Sequence, residues 1–115
     1  MYISVEEPNS NRAGTRDAAR RELERLRSEL DAVDSRLLDA VRERLDLCSR
    51  IGHLKSVADI AVVQPKRMEQ VHERARDFAL RNDLSPEFFD ALYDILIAET
   101  CRLEEQIIDS PNEPQ

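Results

Sequence analysis

Residues 23–55 read LERLRSELDAVDSRLLDAVRERLDLCSRIGHLK, and the spacing of their apolar side chains decides the fold. At about 100° per residue, Leu26, Leu30, Val33, Leu37, Val41, Cys48 and Ile51 fall within one stripe of a helix. Arg44 and Lys55 fall near the centre of that stripe. A cation buried there without a partner carries a large desolvation cost, and the stripe itself offers no acidic residue. An anionic ligand held between helices is the simplest account of both charges.

Outward from this segment, the helical pattern runs from about Ala18 to about Ala58, with no glycine before Gly52 and no proline before Pro65. Such a run exceeds the ordinary length of a globular helix. Leu23, Leu26, Leu30, Val33, Leu37 and Ala40 step by three and four as in a heptad seam, so the long helix is expected to bridge two subunits. A plain dimeric coiled coil is the simpler alternative. After the connection DIAVVQ, Pro65 suits the first turn of a second helix. Met68, Val71, Ala75, Phe78 and Ala79 mark its inner side, and Asn82-Asp83 ends it. Ser85-Pro86-Glu87 opens a third helix, with Ser85 as N-cap, and Phe89, Leu92, Leu96, Thr100, Leu103 and Ile107 form its apolar face.

The expected architecture is all-α: a three-helix subunit with a long first helix. Residues 1–17 lack periodicity and are expected to form a disordered tail. The helical domain spans 18–109, and residues 110–115, SPNEPQ, form a second tail.

Composition narrows the function. The chain has 115 residues, two glycines, no tryptophan and 4% aromatics, a thin core for a monomer. A formal net charge of -7 argues against a nucleic-acid surface. No apolar run is long enough to span a bilayer, and the N-terminus has no signal-peptide pattern, so the expected location is cytoplasmic. Cys48 and Cys101 lie in apolar helical patterns and read as reduced core cysteines. His53 and His72 fall outside the charged set and read as ordinary surface or half-buried histidines.

Lys55 follows Arg44 by three helical turns, about 16 Å, so one small ligand meets both only if their long side chains converge. Arg67 flanks the apolar side of the second helix, Gln64 can aim an amide into the same space, and Thr100 and Glu104 lie on or beside the apolar face of the third. Three cations, an amide, a hydroxyl and a carboxyl describe a pocket for a small anionic molecule. The sequence has no HExxH, no paired CxxC, no glycine-rich phosphate loop and no Ser-His-Asp set; neither metal nor cofactor is expected.

The stretch 23–55, followed by Gln64-Pro65-Lys66-Arg67 and by LYDILIAETCRLEEQ at 92–106, resembles the all-helical (AroQ-type) chorismate mutase family over roughly residues 20–108. The resemblance implies an intertwined homodimer with two active sites, each shared between chains. It also implies a cofactor-free Claisen rearrangement of chorismate, a small dicarboxylate, to prephenate. By position, Arg27 would reach a substrate carboxylate from the partner subunit, and Arg44 would hold a carboxylate from its own chain. Lys55 would bind a carboxylate and the ether oxygen of the breaking bond, Arg67 would complete the cationic wall, and Thr100 would contact the ring carboxylate. Glu104 stands where several members carry a glutamine that donates to the ether oxygen; a carboxyl can do so only when protonated.

Such chemistry needs neither nucleophile nor proton transfer. It needs the enolpyruvyl arm folded over the ring, which clamped carboxylates achieve, and a fixed cation beside the ether oxygen as negative charge builds there. Two positions depart from the common pattern: Gln64 replaces an acidic residue and Met68 a glutamate, both facing the substituent at ring carbon four. In this the chain looks more like the 4-amino-4-deoxychorismate mutases of antibiotic pathways, which implies the 4-amino substrate. An isochorismate-pyruvate lyase on a related scaffold, and a non-catalytic helical dimer that senses an aromatic-pathway acid, stand as alternatives.

Overall fold

The computed structural model describes residues 9–109, with side chains from residue 12 onward. Among the described residues it is all-helical, with α1 (Asn9–Ala58), α2 (Pro65–Arg81), α3 (Pro86–Asp109) and no strand. The tails expected at 1–8 and 110–115 lie outside the described residues. Residues 9–17 depart from the expected tail, because α1 already begins at Asn9. Once a helix is nucleated, each added residue gains a hydrogen bond without a new nucleation cost, and Arg12, Ala13 and Arg16 are good helix formers. Gly14 costs about 1 kcal/mol relative to alanine, which does not interrupt the run.

The chain divides into two compact units, Met1–Val41 and Arg42–Gln115, and the boundary falls inside α1. In the first unit the described helix is exposed on all sides. Leu30 and Leu37, both in the seam pattern, are each 56% exposed. Its polar faces carry ion pairs along the helix, Arg25 with Glu22 and Glu29 and Arg27 with Glu24. Exposed pairs of this kind are worth a few tenths of a kcal/mol each. They decorate the helix and do not by themselves account for its length.

The second unit holds the end of α1 together with α2 and α3. Pro65 occupies the first turn of α2, where its missing N–H leaves no hydrogen bond unmade. At the start of α3 the Ser85 hydroxyl accepts from the Phe88 amide at 3.1 Å. Both α1 and α2 end in the same way. Asp59 and Asp83 take left-handed backbone angles, and the amides that follow them turn back onto the last helical turn, Ile60 N–H to the Lys55 carbonyl at 3.0 Å and Leu84 N–H to the Ala79 carbonyl at 2.8 Å. This closure satisfies carbonyls that the helix end would otherwise leave open.

Ala75 and Ala79 of α2 are buried and let α3 approach. Around them Phe78 and Phe89 meet edge to face, their centroids 5.6 Å apart. On the flank of the α2–α3 pair, His72 lies between Asp90 (3.0 Å) and Asp94 (3.1 Å), and Arg76 reaches Asp90 at 2.9 Å. The hydrogen bond from His72, with help from Arg76, holds the Asp90 carboxyl below its ordinary range. His53 is exposed. The apolar core is small: among the described residues only Cys48, Ala75 and Ala79 are buried hydrophobics.

Candidate active site

Gly52 positions the site. It is buried, and a Cβ placed on it would meet the Glu104 Cγ at 3.1 Å, the Glu104 Cα at 3.2 Å and the Ile107 Cδ1 at 3.2 Å. Only a residue without a side chain lets the backbone of α3 come this near α1. The approach sets Glu104 against Lys55, one turn further along α1. The Lys55 Nζ donates to the Glu104 Oε1 at 2.7 Å and to the Val62 carbonyl at 3.0 Å. Both side chains are largely withdrawn from water, 15% exposed for Lys55 and 3% for Glu104. Lys55 therefore finds on α3 the acidic partner that its own helix lacks. Breaking such a pair from one side costs about 3–5 kcal/mol.

Arg44 is different. Among the described residues no carboxylate pairs with it. Its Nη1 donates to the Thr100 Oγ1 at 2.9 Å and lies 3.9 Å from the Cys48 Sγ, and its guanidinium stands 5.7 Å from the centroid of the Tyr93 ring. Thr100 donates in turn to the Leu96 carbonyl at 2.9 Å, and the Cys48 Sγ lies 3.3 Å from the Thr100 Oγ1. A charged group held by neutral partners keeps its capacity to bind an anion.

These residues line a cavity of about 280 Å³ that Arg44, Lys55, Gln64, Arg67, Met68, Thr100 and Glu104 share with the apolar Ile51, Val71 and Ile97. Cys48 and Cys101 complete the wall, both as free thiols. Burial first, then the nearby Glu104 and Glu105, raise the Cys101 thiol above its ordinary range and keep it neutral. Gln64 and Arg67 are exposed at the rim. The Gln64 Nε2 donates to the Ala61 carbonyl at 3.3 Å, which leaves its Oε1 free to accept. A second, wider cavity of about 420 Å³ shares Arg44, Arg67 and Val71 and adds Arg74, Phe78, Phe89 and Tyr93. Among the described residues no group of three or more His, Cys, Asp or Glu side chains is arranged to hold a metal ion.

Of the site residues expected from the sequence, this cavity brings together Arg44, Lys55, Gln64, Arg67, Met68, Thr100 and Glu104. Arg27 belongs to the other unit, where it is exposed and bonded to Glu24 at 3.3 Å. Sequence reasoning missed Gly52, Tyr93, the hydrogen bond of Cys48 and the Val62 carbonyl. A lone glycine inside a helical run, one turn before a central lysine, was a readable signal of close backbone approach. A loop carbonyl such as that of Val62 leaves no mark in the side-chain pattern.

Three cations against one carboxylate, in a cleft also lined by Ile51, Val71 and Ile97, suit a compact ligand with more than one negative charge. The family model for chorismate mutase type II matches residues 26–105. The chain belongs to the chorismate mutase type II family. It is therefore an isomerase of the chorismate mutase type. The match takes in every cavity-lining residue named above and Arg27. Among individual relatives, the 4-amino-4-deoxychorismate mutase of Streptomyces pristinaespiralis is 47% identical over 97 residues, 84% of this chain and 75% of that protein. The 4-amino-4-deoxychorismate mutase of Streptomyces venezuelae is 45% identical over 87 residues, 76% of this chain and 84% of that protein. A bifunctional chorismate mutase/prephenate dehydratase of Aquifex aeolicus is 38% identical over 53 residues, 46% of this chain and 15% of that protein. Among the described residues no helix is long and apolar enough to cross a membrane.

Proposed function

We propose that the 280 Å³ cavity is the active site of a mutase whose preferred substrate is 4-amino-4-deoxychorismate, rearranged to 4-amino-4-deoxyprephenate. The observation that carries the site is the convergence of Arg44, Lys55, Arg67 and Glu104 from three helices on one small cleft. The choice of the amino substrate rests on the two streptomycete relatives and on Gln64 and Met68. With Gln64 Nε2 turned to the Ala61 carbonyl, the Gln64 Oε1 is an acceptor for an N–H at ring carbon four, and Met68 offers no charge there.

In this reading Arg44 holds one substrate carboxylate with the donors its Thr100 bond leaves free, and Arg67 closes the cationic wall. The two clamps fold the flexible arm over the ring and supply most of the conformational cost of the rearrangement. Lys55 is already fixed by Glu104 and Val62, so its ammonium meets the charge that develops on the ether oxygen without reorganising.

The partner is a second copy of this chain, in an intertwined homodimer with shared sites. Two features support it: the apolar seam of α1 is half exposed in the single chain, and the 420 Å³ cavity beside the site joins Arg44 and Arg67 to the apolar and aromatic side chains Val71, Phe78, Phe89 and Tyr93. Arg27 of the partner subunit then adds a cation for the second carboxylate.

The test is a side-by-side assay of purified protein with chorismate and 4-amino-4-deoxychorismate, following loss of substrate, appearance of the rearranged product and release of pyruvate. The proposal requires a higher kcat/KM for the amino substrate and no stoichiometric pyruvate. Preference for chorismate overturns the substrate assignment, and free pyruvate in step with substrate loss makes the enzyme a lyase.

A further inference from the structure

Thr100 has one proton and three neighbours. The Leu96 carbonyl, 2.9 Å away, can only accept, so the hydroxyl proton goes there. The Thr100 Oγ1 is then an acceptor toward both other neighbours, the Arg44 Nη1 at 2.9 Å and the Cys48 Sγ at 3.3 Å. This assigns the thiol proton as well: Cys48 donates S–H to the Thr100 Oγ1. The sulfur lone pairs face the Arg44 Nη1 at 3.9 Å. Of the five guanidinium donors, those on Nη1 thus point to Thr100 and Cys48, while Nη2 and Nε have no partner among the described residues. That open edge is the one that binds a carboxylate with two parallel hydrogen bonds.

We infer that Cys48 and Thr100 are positioning residues, a hydrogen-bonded brace that fixes the Arg44 guanidinium with its Nη2 and Nε edge turned to the substrate carboxylate. The inference rests on the reading of the cavity as the active site. It gives Thr100 a role different from direct contact with the ring carboxylate, because its only proton is already committed. Cys48 is buried, and Tyr93 supports the guanidinium from another side. A serine in place of Cys48 keeps a donor toward Thr100, whereas an alanine removes it without adding bulk.

The experiment compares Cys48→Ala and Cys48→Ser, each alone and combined with Arg44→Lys, using 4-amino-4-deoxychorismate as substrate. A slight loosening of the clamp leaves the bound arm folded and weakens carboxylate binding in ground and transition states alike, so it raises KM and leaves kcat nearly constant. The expected result is a KM about fivefold higher in Cys48→Ala, most of it recovered in Cys48→Ser, and little further change when Cys48→Ala is added to Arg44→Lys. Equal KM in the alanine and serine variants, or the same fivefold factor repeated in the Arg44→Lys background, overturns the brace. A readout without substrate separates its failure from failure of the active-site reading: nitrogen NMR of the ligand-free protein should show faster guanidinium rotation at Arg44 in Cys48→Ala than in Cys48→Ser. Unchanged rotation overturns the brace even if Arg44→Lys is impaired; wild-type KM in Arg44→Lys removes Arg44 from the site, and the inference with it.

Discussion

Replacing Gly52 by alanine sets two effects of similar size against each other. Alanine is favoured over glycine in a helix interior by about 1 kcal/mol, so an open position would be stabilised. Here the new methyl would stand 3.1 Å from the Glu104 Cγ and 3.2 Å from the Glu104 Cα and the Ile107 Cδ1, against about 3.5–4.0 Å for a relaxed carbon contact. The Ile107 methyl is the end of a flexible side chain and can turn away. The Glu104 Cα is backbone, so α3 must move by a few tenths of an ångström. Overpacking of this kind costs about 1–3 kcal/mol, which leaves a net loss of about 1 kcal/mol, or roughly 5 °C in Tm for a domain of this size. The same displacement lengthens the 2.7 Å bond between Lys55 and Glu104, and kcat/KM should fall about tenfold, since misplacing a catalytic group by 1 Å can cost a hundredfold. Thermal unfolding and steady-state kinetics on one preparation check both numbers. A variant that melts higher and turns over at the wild-type rate would refute the claim that Gly52 sets the α1–α3 spacing at the site.

Glu104→Gln keeps an acceptor for Lys55 and places an N–H donor beside the ether oxygen, so it should retain more kcat/KM than Glu104→Ala; an equal loss in both variants removes the Glu104 position from the mechanism. Gln64→Asp with Met68→Glu should shift the ratio of kcat/KM between chorismate and its 4-amino analogue, since specificity is a difference in transition-state binding; equal effects on both substrates would show that neither position reads ring carbon four. Arg27→Ala and Arg44→Ala should each be nearly inactive, yet co-refolding them should restore roughly a quarter of wild-type activity, because half of randomly assorted dimers are mixed and each mixed dimer has one intact site. Recovery no greater than the sum of the two variants would sink the shared site.

The three helices were legible because each carries its own local signals: the stripe of residues 23–55, Pro65 in the first turn of α2, and the Ser85-Pro86 opening of α3. The start of α1 was misread, since a charged stretch with alanines lacks an apolar period and still continues a helix once one exists. At the site, Arg44 and Lys55 stood out because cations in an apolar stripe demand an explanation. The sequence could say that they needed partners, and only the fold says which: Glu104 for Lys55, and for Arg44 the neutral set of Thr100, Cys48 and Tyr93. That difference depends on helix spacing at Gly52 and on long-range contacts that periodicity along one helix does not encode.

Arg44 without a carboxylate partner is the residue on which the account turns. Its substitution by alanine removes a half-buried cation that nothing within the described residues neutralises, so the fold should survive with Tm within a few degrees of wild type. The same change removes the substrate clamp, and kcat/KM for 4-amino-4-deoxychorismate should fall by more than about a hundredfold, the scale for losing one preorganised charged donor. A folded Arg44→Ala variant that keeps kcat/KM within about threefold of wild type would contradict the placement of the active site in this cavity.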